Sequence, residues 1–336
     1  MALDKRIQIL HQADLMKRGL VIGKFMPLHK GHIALIEFAV SQCDELIVSM
    51  SFADTDPIDP QLRFNWIKEQ FNSNPAILPR MIKDDFDNEQ LPLAERTAVW
   101  AEKMREVYPR IDTLISSELY GEPFAANLAA EHIMFDKERI SVPISATAIR
   151  SKPLTNWQYI PAYIQPYFVK KICFYGPEST GKSTLAKKMA AHYNTEFVPE
   201  AARDILISND FREKEIIAIG NLQHQYIEEK LKTANKLLFC DTDAITTQIY
   251  SQYYLGKVPR EIYEFEEQTT YDLYFLLDID IPWIADPLRD QGHHRKEMMQ
   301  IFRRELEKRK IEYVLISGSY EARERKVKEV IDEIIN

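Results

Sequence analysis

The chain has 336 residues, 45 % of them hydrophobic and 28 % charged, so it is long and apolar enough to build two globular domains rather than one. Its formal net charge of -8 excludes a generic nucleic-acid-coating surface, which needs a basic excess to release counterions, yet leaves room for a local phosphate pocket. Cys43, Cys173 and Cys240 stand far apart in apolar runs without a CxxC pair or metal spacing, and no segment has the roughly 20 apolar residues of a membrane span. Buried thiols and a reducing, cytoplasmic setting are expected.

Taken in chain order, residues 20–22 form a short apolar run ending at Gly23, the pattern of a buried first strand. Residues 31–43 then carry Ile33, Ile36, Ala39 and Val40 at helical spacing. A strand is predicted at 45–50, a helix starting from Asp59 with Pro60 in its first turn, and a strand at 76–82. A long helix over 94–107, a strand at 113–116, a short helix near 123–130 and a strand near 132–135 complete this half. Strands alternating with helices imply a parallel, doubly wound sheet. Residues 151–168 are rich in proline and aromatic side chains, too apolar for a flexible linker, and are expected to pack on the first domain and end it. The expected domains are therefore 1–168 and 169–336. In the second, a strand at 171–175 leads into a glycine-rich turn at 176–181, a helix to about Tyr193 and a strand at 196–198. Helices over 201–208 and 214–234, strands at 237–240 and 273–277, and a last strand and helix within 312–335 follow.

The first chemical motif is GKFMPLHKGH at 23–32, between a strand and a helix. Gly23 lets a ligand approach the backbone. His29 and His32 lie three apart, with His32 in the first helical turn, where imidazole N–H groups and free helix amides together suit phosphate oxygens. Over a hundred residues later, ISATAIR at 144–150 offers Ser145 and Thr147 as N-cap hydroxyls and Arg150 as a guanidinium for a polyphosphate. Trp100 is open between stacking on a substrate ring and a core position. Arg63 and Lys24 are open between phosphate contacts and solvated charges.

The second motif is GPESTGKS at 176–183, a full G-x(4)-G-K-S after the strand KICFY and before a helix. Loop amides around Gly176, Glu178, Ser179, Thr180 and Gly181 cradle phosphates, with Thr184 in the first helical turn. Lys182 reaches the outer phosphate oxygens, and Ser183 is a Mg²⁺ ligand. Asp241, at the end of the strand LLFC, fits the carboxylate that holds Mg²⁺ through water, while Asp243 is a candidate to orient substrate. Glu200, in VPEAAR, is a candidate base for an acceptor hydroxyl, and Arg203 a clamp on phosphate or a partner of Glu200. Residues 278–296 read as a polar lid carrying Arg289 and Arg295 for the transferring phosphate and Trp283 for stacking on a substrate ring.

Gly23, Phe25, Pro27, His29, Gly31 and His32, with Ile144, Ser145, Thr147 and Arg150, resemble the HxGH nucleotidyltransferase signatures GxFxPxHxGH and ISxTxxR. SSELYG at 116–121 resembles the segment through which that superfamily holds adenine and ribose. With the P-loop half and its segments VPEAAR, CDTDAITTQ and IPWIADPLRDQG, residues 19–335 resemble the NadR family of bifunctional nicotinamide-nucleotide adenylyltransferases and ribosylnicotinamide kinases. The resemblance implies an α/β protein of two domains with mainly parallel sheets. One is a Rossmann-like HxGH nucleotidyltransferase and the other a P-loop kinase, both ATP-using and Mg²⁺-assisted. It implies phosphorylation of nicotinamide riboside to NMN and joining of NMN to AMP to give NAD.

Two departures stand out: Ala146 and Pro287 occupy positions where glycine is common in the family, and Pro287 stiffens the lid. A helix-turn-helix repressor segment like that of enteric members is not expected from the residues before the first strand, nor is DNA binding. The rival readings are an adenylyltransferase for another phosphorylated acceptor fused to a small-molecule kinase, and an NAD- or ATP-sensing module. A homo-oligomer is left open.

Overall fold

A computed structural model describes residues 16–208, 210–284 and 291–335. The chain divides into two compact units between Ile164 and Gln165, slightly earlier than the expected boundary. The proline- and aromatic-rich connector accounts for the difference. Leu154, Trp157, Ile160 and Ile164 are buried, and the Tyr163 hydroxyl donates to the Trp66 carbonyl at 3.1 Å. The connector thus belongs to the first unit as far as Ile164, and none of Gln165–Phe168 is buried.

In the first unit the order is β1 Arg18–Gly23, α1 Lys30–Val40, β2 Glu45–Phe52, α2 Pro60–Phe71, β3 Ile77–Lys83, α3 Leu93–Val107, β4 Thr113–Ser116, α4 Gly121–Leu128, β5 Glu131–Met134 and α5 Ala146–Ser151. The five strands pair in parallel in the order β3-β2-β1-β4-β5. Leu20, Ile47 and Leu114 from the central strands pack against Ala101, Met104 and Phe124 of α3 and α4. The expected α2 start is present: Asp59 Oδ1 accepts from Leu62 N at 2.8 Å. Strand order reverses at β1, so the crevice beyond its C-terminal end, where Gly23 stands, is the topological position for a ligand.

The second unit runs β6 Lys170–Tyr175, α6 Lys182–His192, β7 Glu196–Val198, α7 Ala202–Ile205, α8 Glu213–Leu231, β8 Leu237–Asp241, α9 Ala244–Leu255, α10 Arg260–Gln268, β9 Leu273–Leu277, α11 Arg295–Lys308, β10 Tyr313–Ile316 and α12 Tyr320–Ile335. Its parallel sheet has the order β10-β9-β6-β8-β7. Alternate residues of β6 serve opposite faces. Ile172 and Phe174 pack with Leu185, Met189, Val327 and Ile331 of α6 and α12, whereas Cys173 and Tyr175 pack with Ile245, Met298 and Phe302 of α9 and α11. Cys173 and Cys240 are buried as expected, while Cys43 is only half-buried. Helix α9 is not anticipated by periodicity, because AITTQIYSQYYL is rich in β-branched and aromatic residues of weak helix propensity. Asp243 at the N-cap and Gly256 in the left-handed region at φ 68° delimit α9 all the same.

Candidate functional sites

In the first unit, β1 delivers the chain to a turn that places His29 at the N-cap of α1. His29 Nδ1 accepts from the amides of Gly31 at 3.1 Å and His32 at 3.3 Å, so the neutral ring carries its proton on Nε2. The His29 and His32 rings stack with centroids 3.7 Å apart, and Phe25, nearly fully buried, meets His32 edge-on at 5.0 Å. Burial, and then the Arg139 cation, push the His29 pKa down to about 4. Burial, with His29 and Arg139 adding to it, lowers His32 as well. Both are neutral hydrogen-bond donors at physiological pH, not standing cations.

Ser145 caps α5, its Oγ accepting from Ala148 N at 3.1 Å. Arg150 donates to the Met26 carbonyl at 2.5 Å and to Thr147 Oγ1 at 3.2 Å, joining ISATAIR to the histidine turn from 124 residues away. Between them lies a cavity of about 290 Å³. Gly23, Gly31, both histidines, Ser145 and Thr147 line it together with Ser117, Glu118 and Tyr120 of SSELYG. Arg139 lines it too, on a loop with no signal in the sequence. It ion-pairs with Glu118 at 2.7 Å and donates to the Ile144 carbonyl at 3.3 Å.

A second cavity of about 160 Å³ shares Ile22, Gly23 and Tyr120 with the first and contains Lys24 and Trp100. Trp100 packs edge-on to Phe124 at 5.7 Å and lines this cavity, its indole N–H donating to Asp87 at 2.9 Å. Arg96 stands over the indole at 5.0 Å and holds the Asp87 carboxyl below its ordinary range. Arg63 is neither a phosphate contact nor a solvated charge. It is wholly buried, donating to the Lys24 carbonyl at 2.6 Å and to Asp56 at 2.6 Å, so it is a strut for the turn.

In the second unit, β6 ends in the phosphate loop. Gly176 sits at φ +137°, where a Cβ would come 2.9 Å from the Leu277 carbonyl, and Gly181 at φ +86°. Only glycine fits the first position. Lys182 Nζ donates to the Gly176 and Pro177 carbonyls at 2.8 and 2.9 Å, lying along its own loop. The fully buried Arg323 of α12 supports that loop, donating to the Thr180 carbonyl at 2.8 Å and pairing with Asp280. No local pattern marked it.

A cavity of about 170 Å³ is lined by residues 178–184, Glu200, Arg203, Phe211, Gln223 and Tyr250. Glu200 and Arg203, three residues apart on its wall, ion-pair at 3.1 Å. Asp241 is buried, and loss of solvent, then the Glu200 charge, raise its carboxyl to about 6, against the opposing pull of Lys182 and the Ser183 hydroxyl. Its Oδ1 has no hydrogen-bond partner among the described residues. A buried carboxylate oxygen left over beside Ser183 fits a divalent cation.

Three expectations need correction or lie elsewhere. Asp243 does not line this cavity. Its carboxylate caps α9, accepting from Thr246 N at 2.8 Å and from the Tyr274 hydroxyl at 3.0 Å. Trp283 is absent from the lining as well. It packs against Gly292, with the Arg295 guanidinium 5.8 Å from its ring, and Arg295 in turn donates to the Ser179 carbonyl of the phosphate loop at 3.3 Å. Arg289 and Pro287 lie outside the described residues.

Comparison with known proteins follows the same division. An AAA domain model matches residues 171–323. The trifunctional NAD biosynthesis/regulator protein NadR of Escherichia coli K12 is 32 % identical over 94 % of this chain and 83 % of its own length. The nicotinamide-nucleotide adenylyltransferase of Methanocorpusculum labreanum is 26 % identical over 44 % of this chain and 86 % of its own. A crystal structure of a NadR protein in complex with NAD and AMP-PNP has the same fold, with a TM-score of 0.77 at 23 % identity over 95 % of this chain and 96 % of that one. Identity of this extent along nearly the whole chain is decisive: the chain belongs to the NadR family.

Proposed function

We propose that the chain makes NAD in two ATP-using steps, phosphorylating nicotinamide riboside in the second unit and joining the resulting NMN to AMP in the first. The observation that carries this reading is the presence, in one chain, of a histidine-turn nucleotide cavity with an adjoining smaller one and of a phosphate loop facing a cavity with a carboxylate base. The NadR relative of E. coli and the adenylyltransferase of M. labreanum support the choice of pyridine nucleotide.

In the first unit the NMN phosphate is already ionised, so it attacks the α-phosphorus of ATP without a protein base. Catalysis then rests on in-line positioning and on donors facing the departing pyrophosphate. His29 and His32 supply ring N–H groups and Arg150 its guanidinium, while the Gly31 and His32 amides hold His29 Nδ1. Ser145 and Thr147 set the entry of α5 beside them. The two cavities meeting at Gly23 suit ATP in the larger and the nicotinamide end of NMN beside Trp100 in the smaller.

In the second unit the nucleophile is a 5′-hydroxyl, which stays protonated at neutral pH. Glu200 takes its proton as the γ-phosphoryl group moves, Lys182 and the loop amides hold the outer phosphates, and Arg203 keeps Glu200 in place. Ser183 and Asp241 would hold Mg²⁺, which supplies charge neutralisation on the β- and γ-phosphate oxygens. Product analysis after incubation with nicotinamide riboside, ATP and Mg²⁺ tests the whole reading: NMN and then NAD are expected, and an absence of NAD from NMN and ATP overturns it.

A further inference from the structure

Gln223 stands on α8, three turns into a stripe whose i, i+3, i+7 members are Ile216, Ile219 and Gln223, and all three line the kinase cavity. Its side chain is 6 % exposed. The Oε1 atom accepts from Ala201 N at 2.8 Å, which sets the amide's orientation because only its oxygen accepts. Nε2 therefore points away from that bond, buried and with no partner among the described residues. Leaving a buried N–H donor unsatisfied costs about 1–3 kcal/mol, so something that enters the site is the natural partner. Neither the motifs nor the proton-transfer chemistry makes use of this residue.

We propose that Gln223 Nε2 donates a hydrogen bond to the exocyclic carbonyl oxygen of the nucleoside substrate's ring and so sets the substrate preference of the kinase. Resting on the proposed kinase activity, this deepens it. The acceptor's 5′-hydroxyl must lie at Glu200, which leaves its ring to the apolar part of the lining, where Phe211, Ile216 and Ile219 offer a platform for a flat heterocycle. Gln223 follows Ile216 and Ile219 on the same helix face, so its amide is the polar group of that stripe, and it also lines a smaller neighbouring cavity with Asp243 and Tyr274. A ring bearing a carboxamide presents a carbonyl there, and one bearing hydrogen leaves the donor unpaired. Because the same amide anchors Ala201, next to Glu200, ring recognition and placement of the base share one side chain.

The test compares phosphorylation of nicotinamide riboside with that of the pyridinium riboside lacking the carboxamide, in the intact chain and in Gln223→Glu. Glutamate keeps an oxygen for Ala201 N and loses the Nε2 donor, and any attraction of its charge for the pyridinium acts on both substrates alike. The wild-type chain is expected to favour the carboxamide substrate by about 10-fold or more in kcat/KM, and the variant to lose most of that ratio, mainly through KM. Equal losses on both substrates would assign Nε2 to the ribose, and an unchanged ratio would assign it to a buried water. Either result overturns the proposal while leaving the kinase reading intact. No phosphorylation of either substrate by the wild-type chain would overturn both. If Gln223→Glu does not fold, Gln223→Met, of similar volume and without a donor, is read by the same ratio.

Discussion

The two nucleotide sites solve the same problem, stabilising charge on a polyphosphate, with different titratable groups. The first unit presents two imidazoles held neutral by burial and a neighbouring arginine, and the carboxylate on its cavity wall, Glu118, is taken up by that arginine, Arg139. The second presents a lysine, loop amides and two carboxylates, Glu200 and Asp241, of which the buried one is pushed up to about 6. The nucleophile explains the contrast. A phosphate oxygen needs no base, whereas a hydroxyl does, and bringing a carboxylate near ATP makes a cation bridge useful.

The sharpest way to break the comparison is to silence one site at a time. Lys182→Ala is expected to lower NMN formation from nicotinamide riboside by about 10³-fold or more and to leave NAD formation from supplied NMN within about twofold. His32→Ala should do the reverse. Chromatography of the products from each substrate reads both, and loss of both activities in either variant would mean that the sites are not independent. Next in size, Glu200→Gln should cost about 10²–10⁴ in kcat for the kinase step with little change in KM for ATP, because it keeps the shape and loses the base. A fall below tenfold would leave Glu200 as a mere partner of Arg203. A smaller effect is expected of Asp241→Asn, which should raise the Mg²⁺ concentration needed for half-maximal kinase rate by about 10–100-fold and leave adenylyl transfer unaltered.

The smallest effect concerns acid, and its sign differs between the units. His29 titrates near 4 when folded, below its ordinary 6.5, so the unfolded chain binds more protons between those values. Its contribution is complete above pH 6.5 and is lost as pH falls towards 4. Asp243, raised by burial from 3.8 to about 6, does the opposite: its contribution is complete below pH 3.8 and is lost as pH rises through 6. Hydrogen exchange at pH 5 and pH 7 should show β1 less protected at the lower pH in wild type than in His29→Asn. The β8 and β9 strands should lose part of their pH response in Asp243→Asn, the remainder belonging to Asp241, raised by the same burial. Parallel behaviour of the two sheets would contradict this assignment.

Much of both sites was legible because each motif is contiguous and sits where a strand feeds a helix. GKFMPLHKGH and GPESTGKS carry their glycines, cap residue and phosphate-binding groups within ten residues, and local geometry alone gives them purpose. The residues misread or missed all act across the fold. From sequence, Arg63 is open between a phosphate contact and a solvated charge, but Asp56 and the Lys24 carbonyl take it up. Asp243 looked like a residue that orients substrate beside Asp241, but Thr242 between them sits at φ 73° and turns the chain out of the strand, so Asp243 becomes the cap of the next helix.

By itself, then, the sequence determined the α/β class, the two phosphate-binding turns and the family, since these follow from hydrophobic period and short-range spacing. Only the tertiary structure decided which charges face ligand and which are spent on the scaffold. Arg139 reaches the histidines, Arg323 braces the phosphate loop from the last helix, and Gln223 keeps one donor unpaired at the kinase cavity. The reason is physical. Burial and hydrogen-bond partnership depend on segments more than a hundred residues apart, as with Arg323 and Thr180 or Arg150 and Met26, and no local pattern encodes them.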